Sequence, residues 1–267
     1  MSSFKVIFVF MILISSFSYA KAKTELLFYI GITMVNPIKE LSNNFEKKYD
    51  CKINILQGGS EDLYNSIKSS NQGDLYLPGS LSYRTKYLKE KLLLDSKFVG
   101  FNKLSLLVKK GNPKNIKASL SELTNENLNV VLGNDQSSSV GKASKKVLVK
   151  NKLYKKAILN TLFLASDSRN LINSIKEGKA DLILNCHATT FWDGNKNFVE
   201  PLVLEDKYTN KSALVLNLLE TSTNKELTRK FMDYASSLEG RKVFEKYGFL
   251  DINDINNFEK IALDVEK

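Results

Sequence analysis

Apolar residues along the chain alternate between two spacings. Short β-prone runs are followed by stripes of apolar positions three and four residues apart, the periodicities of a strand and of a helix with one buried face. Leu26 to Ile30 is the first run; Gly31-Ile32-Thr33 breaks it, and Met34, Ile38, Leu41 and Phe45 then mark one face of a helix. The unit repeats at once. Lys52 to Leu56 reads as a strand, Gln57-Gly58-Gly59-Ser60 as a loop, and Leu63 with Ile67 as a helix stripe. A third strand, Asp74 to Leu77, ends in Pro78-Gly79-Ser80, and Tyr83, Tyr87 and Leu88 mark the next helix. Strands joined to helices through short loops predict an α/β fold, a mostly parallel sheet flanked by helices.

The rhythm breaks at Lys103 to Lys109, a longer apolar strand closed by Gly111-Asn112-Pro113. A second series follows. Leu128 to Leu132 is a buried-type strand, Gly133 to Ser139 a polar loop, and Val140, Ala143 and Val147 one helix face. Leu162 to Leu164 leads through Asp167-Ser168-Arg169 into a helix carrying Leu171 and Ile175, and Asp181 to Leu184 leads to Asn185-Cys186-His187. Ser212 to Leu219 is another long apolar strand, and Leu227, Phe231, Ala235 and Leu238 form a closing helix. Two blocks joined by two long strands predict two lobes: residues 23–103 with 208–267, and residues 104–207, the long strands crossing between them.

Five loops in this reading follow the carboxyl ends of strands and precede helices, at Thr33, Ser60, Ser80, Ser139 and Ser168. In open α/β sheets that edge is where ligands bind. A helix start there offers unpaired N–H groups and a partial positive charge, which suit an anion, and the hydroxyls add neutral donors. Ser and Thr also serve as ordinary N-caps, so both roles stay open. Glu61 and Asp62 suit the first turn of a helix, where acids favour the dipole; pointed into the cleft instead, Glu61 would require a ligand with donors of its own. His187 and Thr189, after a strand end, stand where they could reach further oxygens of a ligand. Arg169 is expected to brace its loop rather than touch the ligand.

The N-terminus bears on compartment. Lys5 leads into an apolar run from Val6 to Ile14 and then to Ser18-Tyr19-Ala20, with Ala22 as a second small residue at a cleavage site. This pattern predicts a cleavable signal peptide over 1–22 and export to the periplasm. The run is short of the ~20 residues a permanent anchor needs. No cysteine lies near either cleavage site, so lipid attachment is not expected. About 245 residues remain, with 43% of the chain hydrophobic, enough for one large or two medium domains.

The formal charge of +10 is spread along the chain in pairs such as Lys47-Lys48 and Lys155-Lys156. Nucleic-acid binding would cluster such charge with aromatics on one face, so no nucleic-acid partner is expected. Cys51 and Cys186 fall in different predicted lobes and are expected to remain unpaired. A single His and two scattered Cys do not make a zinc site, and neither G-x-S-x-G nor H-E-x-x-H occurs, so neither a metal, a cofactor nor an enzymatic activity is expected.

Several segments together resemble a family. Phe28 to Phe45, Gln57 to Ile67, Gly73-Asp74-Leu75-Tyr76 and the closing Val243-Phe244-Glu245-Lys246-Tyr247-Gly248-Phe249 are similar to the molybdate-type periplasmic solute-binding proteins of ABC importers. The resemblance implies a two-lobed type II periplasmic binding fold and a monomer that captures a small anion and delivers it to a membrane permease. It carries the family's first-lobe anion-binding hydroxyls onto Thr33 and Ser60, in the loops that contain Gly31 and Gly59. It carries second-lobe backbone donors to Val140, in the loop Ser138-Ser139-Val140-Gly141, and to the neighbourhood of Ser168. The tyrosine that family members often place after a later strand is replaced here by Asn185 or Cys186. The expected ligands are therefore wider than molybdate: tungstate, another tetrahedral oxyanion, a phosphate ester or a small carboxylate. The alternatives are a surface antigen or adhesin, with Trp192 as an aromatic contact, or a sensor's partner on the same fold, and a secreted hydrolase built on Asp167, Ser168 and His187.

Overall fold

The computed structural model describes residues 23–266 apart from Asn210; the expected signal peptide, 1–22, lies outside the described residues. Strand β1 (Thr24–Gly31) alternates Leu26, Phe28 and Ile30 on one face with Tyr29 on the other. Both faces are buried, so the sheet it belongs to is covered on both sides. Chain order continues through α1 (Val35–Lys48), β2 (Cys51–Gly58), α2 (Ser60–Ser70), β3 (Leu75–Leu77), α3 (Leu81–Tyr87) and β4 (Leu93–Asn102). One face of the sheet packs on Ile38, Leu41 and Phe45 of α1, the other on Leu63, Tyr64 and Ile67 of α2 with Tyr83 and Tyr87 of α3.

At Lys103 the chain leaves this lobe. β5 (Leu104–Lys109), β6 (Val130–Gly133), α4 (Ser139–Lys150), α5 (Tyr154–Leu159), β7 (Thr161–Ala165), α6 (Ser168–Lys176), β8 (Leu182–Cys186) and β9 (Val199–Leu202) build a second sheet with its own apolar cluster. The short α7 (Asp206–Thr209) leads back to β10 (Ser212–Leu219), and α8 (Lys225–Ser236), α9 (Leu238–Lys246), α10 (Ile252–Asn256) and α11 (Phe258–Val265) close the chain. Phe231, Phe244, Phe249 and Phe258 from this last stretch pack into the core of the first sheet.

The two sheets have corresponding orders, β2-β1-β3-β10-β4 and β7-β6-β8-β5-β9. In each, three strands run parallel, and the fourth, antiparallel, is the first strand after the chain has crossed from the other lobe. This is the type II periplasmic binding fold. Carboxyl ends of β1, β2 and β3 face those of β6, β7 and β8 across a cleft, so six strand-end loops converge there.

Local differences from the sequence expectations have local causes. The expected single closing helix is two, because Ser237 turns extended (φ −67°, ψ 171°) and its hydroxyl caps α9 by accepting from Gly240 N at 3.4 Å. Leu238, expected in the buried stripe, is exposed as a result. The apolar pattern does not mark β4, because polar Asp95, Ser96 and Lys97 interrupt its run; its identity comes from the ladder with β10, Ser212 opposite Asn102 through to Leu219 opposite Leu93. Leu162, Phe163 and Leu164 do form a strand, but an edge strand whose side chains are exposed. Cys51 lies in the first core and Cys186 in the second, both as free thiols.

The core of the first lobe centres on Phe231, fully buried, with its ring 4.7 Å from that of Phe28 and 5.3 Å from that of Phe45. Phe231→Ala should therefore cost about 3–5 kcal/mol of stability. Leu159→Ala, at a side chain 87% exposed, should stay within about 0.5 kcal/mol. Urea unfolding followed by circular dichroism separates the two, and equal losses would show that this aromatic cluster does not organise the lobe.

Candidate functional site

Each strand-end loop presents a small polar residue, and the structure divides these into caps and non-caps. Ser80 and Ser138 are N-caps: Ser80 Oγ accepts from Ser82 N at 3.2 Å and Ser138 Oγ from Gly141 N at 3.1 Å. Asp167 caps α6, its Oδ1 accepting from Arg169 N at 2.8 Å and Asn170 N at 2.9 Å. Ser60, Ser139 and Ser168 are instead the first residues of α2, α4 and α6, so their hydroxyls are not spent on capping. Thr33 lies in the single 3-10 turn Ile32–Met34 between β1 and α1, where its hydroxyl meets only the Met34 sulfur, a weak acceptor, at 2.7 Å.

Packing holds these groups in place. Ser60 Oγ accepts from Gly79 N at 3.0 Å, and Ser60 O accepts from the buried Tyr76 hydroxyl at 2.7 Å. On the other side a Cβ at Gly141 would stand 2.2 Å from Asn134 O, so only glycine lets the start of α4 lie this close to the end of β6. The two halves then meet: Ser60 Oγ and Ser139 Oγ are 2.9 Å apart across the cleft.

Around that contact lies a cavity of about 30 Å3. Gly31, Ile32, Thr33, Gly58, Gly59 and Ser60 line it from the first lobe, and Ser138, Ser139, Val140, Asp167, Ser168 and Cys186 from the second, with Gly79 and Asn102 beside them. No Lys or Arg is among its lining residues. The first N–H groups of α2, α4 and α6 have no partner within their helices. Burial pushes the Cys186 thiol up to about 12, against a hydrogen bond with Ser168, so it stays a neutral wall.

Of the residues expected at the ligand, eight line this cavity: Gly31, Thr33, Gly59, Ser60, Ser138, Ser139, Val140 and Ser168. Three do not. Ser80 opens onto a neighbouring space instead. Asn185 is wholly buried behind α6, its Nδ2 donating to Ser168 O at 3.0 Å and its Oδ1 accepting from Cys186 N at 2.8 Å, so it braces the Ser168 turn. The reason is strand alternation: β8 runs through Cys186, and a one-residue difference sends Cys186 to the cavity and Asn185 away from it. His187 turns edge-on against Phe191, ring centroids 5.5 Å apart. Burial and then the Lys103 charge lower its pKa to about 4, leaving it neutral. Asn102 and Gly79 are not among the residues expected at the ligand, and Cys186 stands there only as the alternative to Asn185; Gly79 carries a signal as the turn after a short strand, and Asn102 carries none.

Glu61 does not line the cavity. It accepts from Lys86 Nζ at 2.7 Å and from the Tyr87 hydroxyl, and Lys142 of the second lobe reaches it at 3.5 Å. Burial works to raise its pKa, but these partners win and hold it below its ordinary 4.5. Lys142 also donates to the Tyr83 hydroxyl at 3.1 Å, and Arg169 of the second lobe donates to Gln57 Oε1 of the first at 3.2 Å. The lobes are thus latched together beside the cavity. Among the described residues no helix is long and apolar enough to cross a membrane, and no group of three His, Cys, Asp or Glu is placed to hold a metal ion.

The fold has known counterparts. The periplasmic molybdate-binding protein of Azotobacter vinelandii superposes with a TM-score of 0.73 at 16% identity, over 84% of this chain and 99% of that one. The sulfate-binding protein of Mycobacterium tuberculosis does so at 0.72 and 15%, over 90% and 91%. Peb3 of Campylobacter jejuni, in a crystal structure with L-phospholactate bound, follows at 0.68 and 18%, over 85% and 99%. Likeness at these identities establishes the shared fold. Kinship rests on the sequence, where residues 26–250 match the family described as bacterial extracellular solute-binding protein, and this chain, two lobes closed on a strand-end cleft, belongs to that family.

Proposed function

We propose that this chain is the solute-binding component of an ABC importer, exported by a cleavable signal peptide over residues 1–22, which captures a small anion between its lobes for a membrane permease. One observation carries the reading. Hydroxyls and helix starts from both lobes face each other across a cavity lined by no Lys or Arg, with Ser60 and Ser139 in contact across it. Such a site meets an anion with neutral donors and helix dipoles, which need no desolvated counter-charge. The three counterparts named above are described with molybdate, sulfate and L-phospholactate, all anions.

The mechanism follows from the division of donors. Neither half surrounds a ligand alone, so an anion held by Thr33 and Ser60 from one side and by the α4 and α6 starts from the other favours the closed state. Ser60 and Ser139 exchange their mutual hydrogen bond for bonds to the anion as it enters. The role is binding and release, with no reacting group required.

Thr33→Ala and Ser60→Ala should each weaken anion binding by roughly 1–3 kcal/mol, since each leaves a ligand oxygen unpaired in a buried site. Isothermal titration checks this, and wild-type affinity in the double variant would remove both from the site. A saturating ligand at ~100 times its dissociation constant should add about 2.7 kcal/mol of stability. A thermal-shift screen of molybdate, tungstate, sulfate, phosphate, phosphate esters and small carboxylates should find one that does so. A shift by a neutral sugar or a cation alone would overturn the anion reading.

The latch gives closure a pH dependence. Against burial, Lys86 and Tyr87 of its own lobe and then Lys142 across the cleft hold Glu61 below its ordinary value, so the Lys142 share, the part that acts on closure, is complete above 4.5 and is lost as pH falls through the lower folded value. The pair is partly exposed, so its worth is about 0.5–1 kcal/mol. Small-angle scattering of the ligand-free protein should show expansion as pH drops past 4.5, and Glu61→Gln should expand it already at neutral pH. An unchanged radius in that variant would show that the Lys142 contact does not hold the lobes.

A further inference from the structure

The cleft continues beyond the small cavity. Gly79, Asn102, Ser139, Val140 and Cys186 line both it and a larger space of about 190 Å3 beside it. The two differ in charge. Lys103, Lys142, Lys146 and Lys211 line the larger space, whereas no lysine lines the smaller. Two of the four are engaged, Lys142 with Glu61 at 3.5 Å and Lys211 with Asp254 at 2.7 Å. No carboxylate among the described residues comes within 4.0 Å of the Lys103 or Lys146 ammonium, although the Lys103 charge acts on Asp251 from farther off. Ser212 Oγ donates to Ser80 Oγ at 2.8 Å, and Ser80 Oγ lies 2.9 Å from Ser82 Oγ, a chain of neutral hydroxyls on the same wall.

Asn102 stands at the boundary between the two spaces. It is only 6% exposed, its Nδ2 donates to Gly79 O at 2.8 Å, and no donor among the described residues reaches its Oδ1. The carbonyl of Gly79 can only accept, which fixes the amide nitrogen on that side and the oxygen on the other. A buried acceptor without a donor is costly, so this one matches a ligand that brings an O–H or N–H. Bare sulfate or molybdate brings acceptors alone, and it leaves the lysines unused.

Resting on the reading of the cleft as an anion site, we infer that the ligand is a two-headed organic anion. A compact anionic head occupies the small cavity, a second anionic group lies against Lys103 and Lys146, and a hydroxyl or amine between them donates to Asn102 Oδ1. The order is set by Asn102, which lines both spaces. Ser80, displaced from the first head, then serves the second through its hydroxyl chain.

Isothermal titration with two series of probes tests this: inorganic phosphate with one head, phosphoglycolate with two, and O-phosphoserine with two and an amine between; succinate and malate form the matching carboxylate pair. The donor-bearing member of the better series should bind tightest, about tenfold or more above phosphate, as expected for two added ion pairs and a hydrogen bond. The double variant Lys103→Gln/Lys146→Gln, at side chains outside either core, should keep the wild-type melting temperature and phosphate affinity while losing about tenfold for the two-headed probes. Equal affinity for all probes, or wild-type affinity of the double variant for the two-headed ones, overturns the inference. If phosphate, sulfate or molybdate then binds in a Ser60-dependent way, the anion cleft itself stands. If no probe of either kind binds, both readings fall.

Discussion

The first N–H groups of an α-helix have no partner within the helix, and in this fold three helices begin at the same cleft. α2 approaches from one sheet, α4 and α6 from the other, and the turn before α1 adds Thr33. Burying so many donors together is costly unless acceptors arrive. Ser138 and Asp167 already accept from Gly141, Arg169 and Asn170 N–H, and in the closed molecule the two lobes touch through the hydroxyls of Ser60 and Ser139. Much else serves that approach: Gly141 brings α4 down onto β6, and Tyr76 and Gly79 fix Ser60 by its carbonyl and its hydroxyl.

The sheet order makes the approach reversible. Each sheet receives as its fourth strand the first strand to arrive from the other lobe, β10 in one and β5 in the other, so the connections run through complete sheets rather than loose tethers. Each lobe also has its own apolar cluster. Lobe motion can then alter the contacts at the cleft while both cores stay packed. The residues that meet across it are polar or charged, Ser60 with Ser139, Glu61 with Lys142 and Gln57 with Arg169, pairs that water can replace at small cost when the lobes part.

Charge is graded along the cleft. The small cavity is lined without Lys or Arg and walled by a neutral thiol, while lysines stand around the larger space that adjoins it. A lysine inside the small cavity would have to be desolvated with every opening and closing, whereas at the rim it stays hydrated and still attracts an anion. The basic excess of the whole chain acts in the same direction at longer range.

The alternating strand and helix units were legible in the sequence because both periodicities are local: Leu26, Phe28 and Ile30 repeat every second residue, and Ile38, Leu41 and Phe45 every third or fourth. Thr33, Ser60, Ser139 and Ser168 could be found for the same reason, since a strand end followed by a helix start is a feature of consecutive residues. Tertiary structure decided what depends on distant partners. β4 is a strand by virtue of its ladder with β10, and Asn102, at the end of that strand, reaches the cleft through Gly79. Whether Asn185 or Cys186 faced the cavity turned on the register of β8, which its pairing with β5 and β6 sets. Lys103 and Lys146, far apart in the chain, line one space because α4 packs against β5 within the second lobe, with Ser80 and Lys211 of the first lobe on the other side; no local periodicity encodes contacts between elements so distant in sequence.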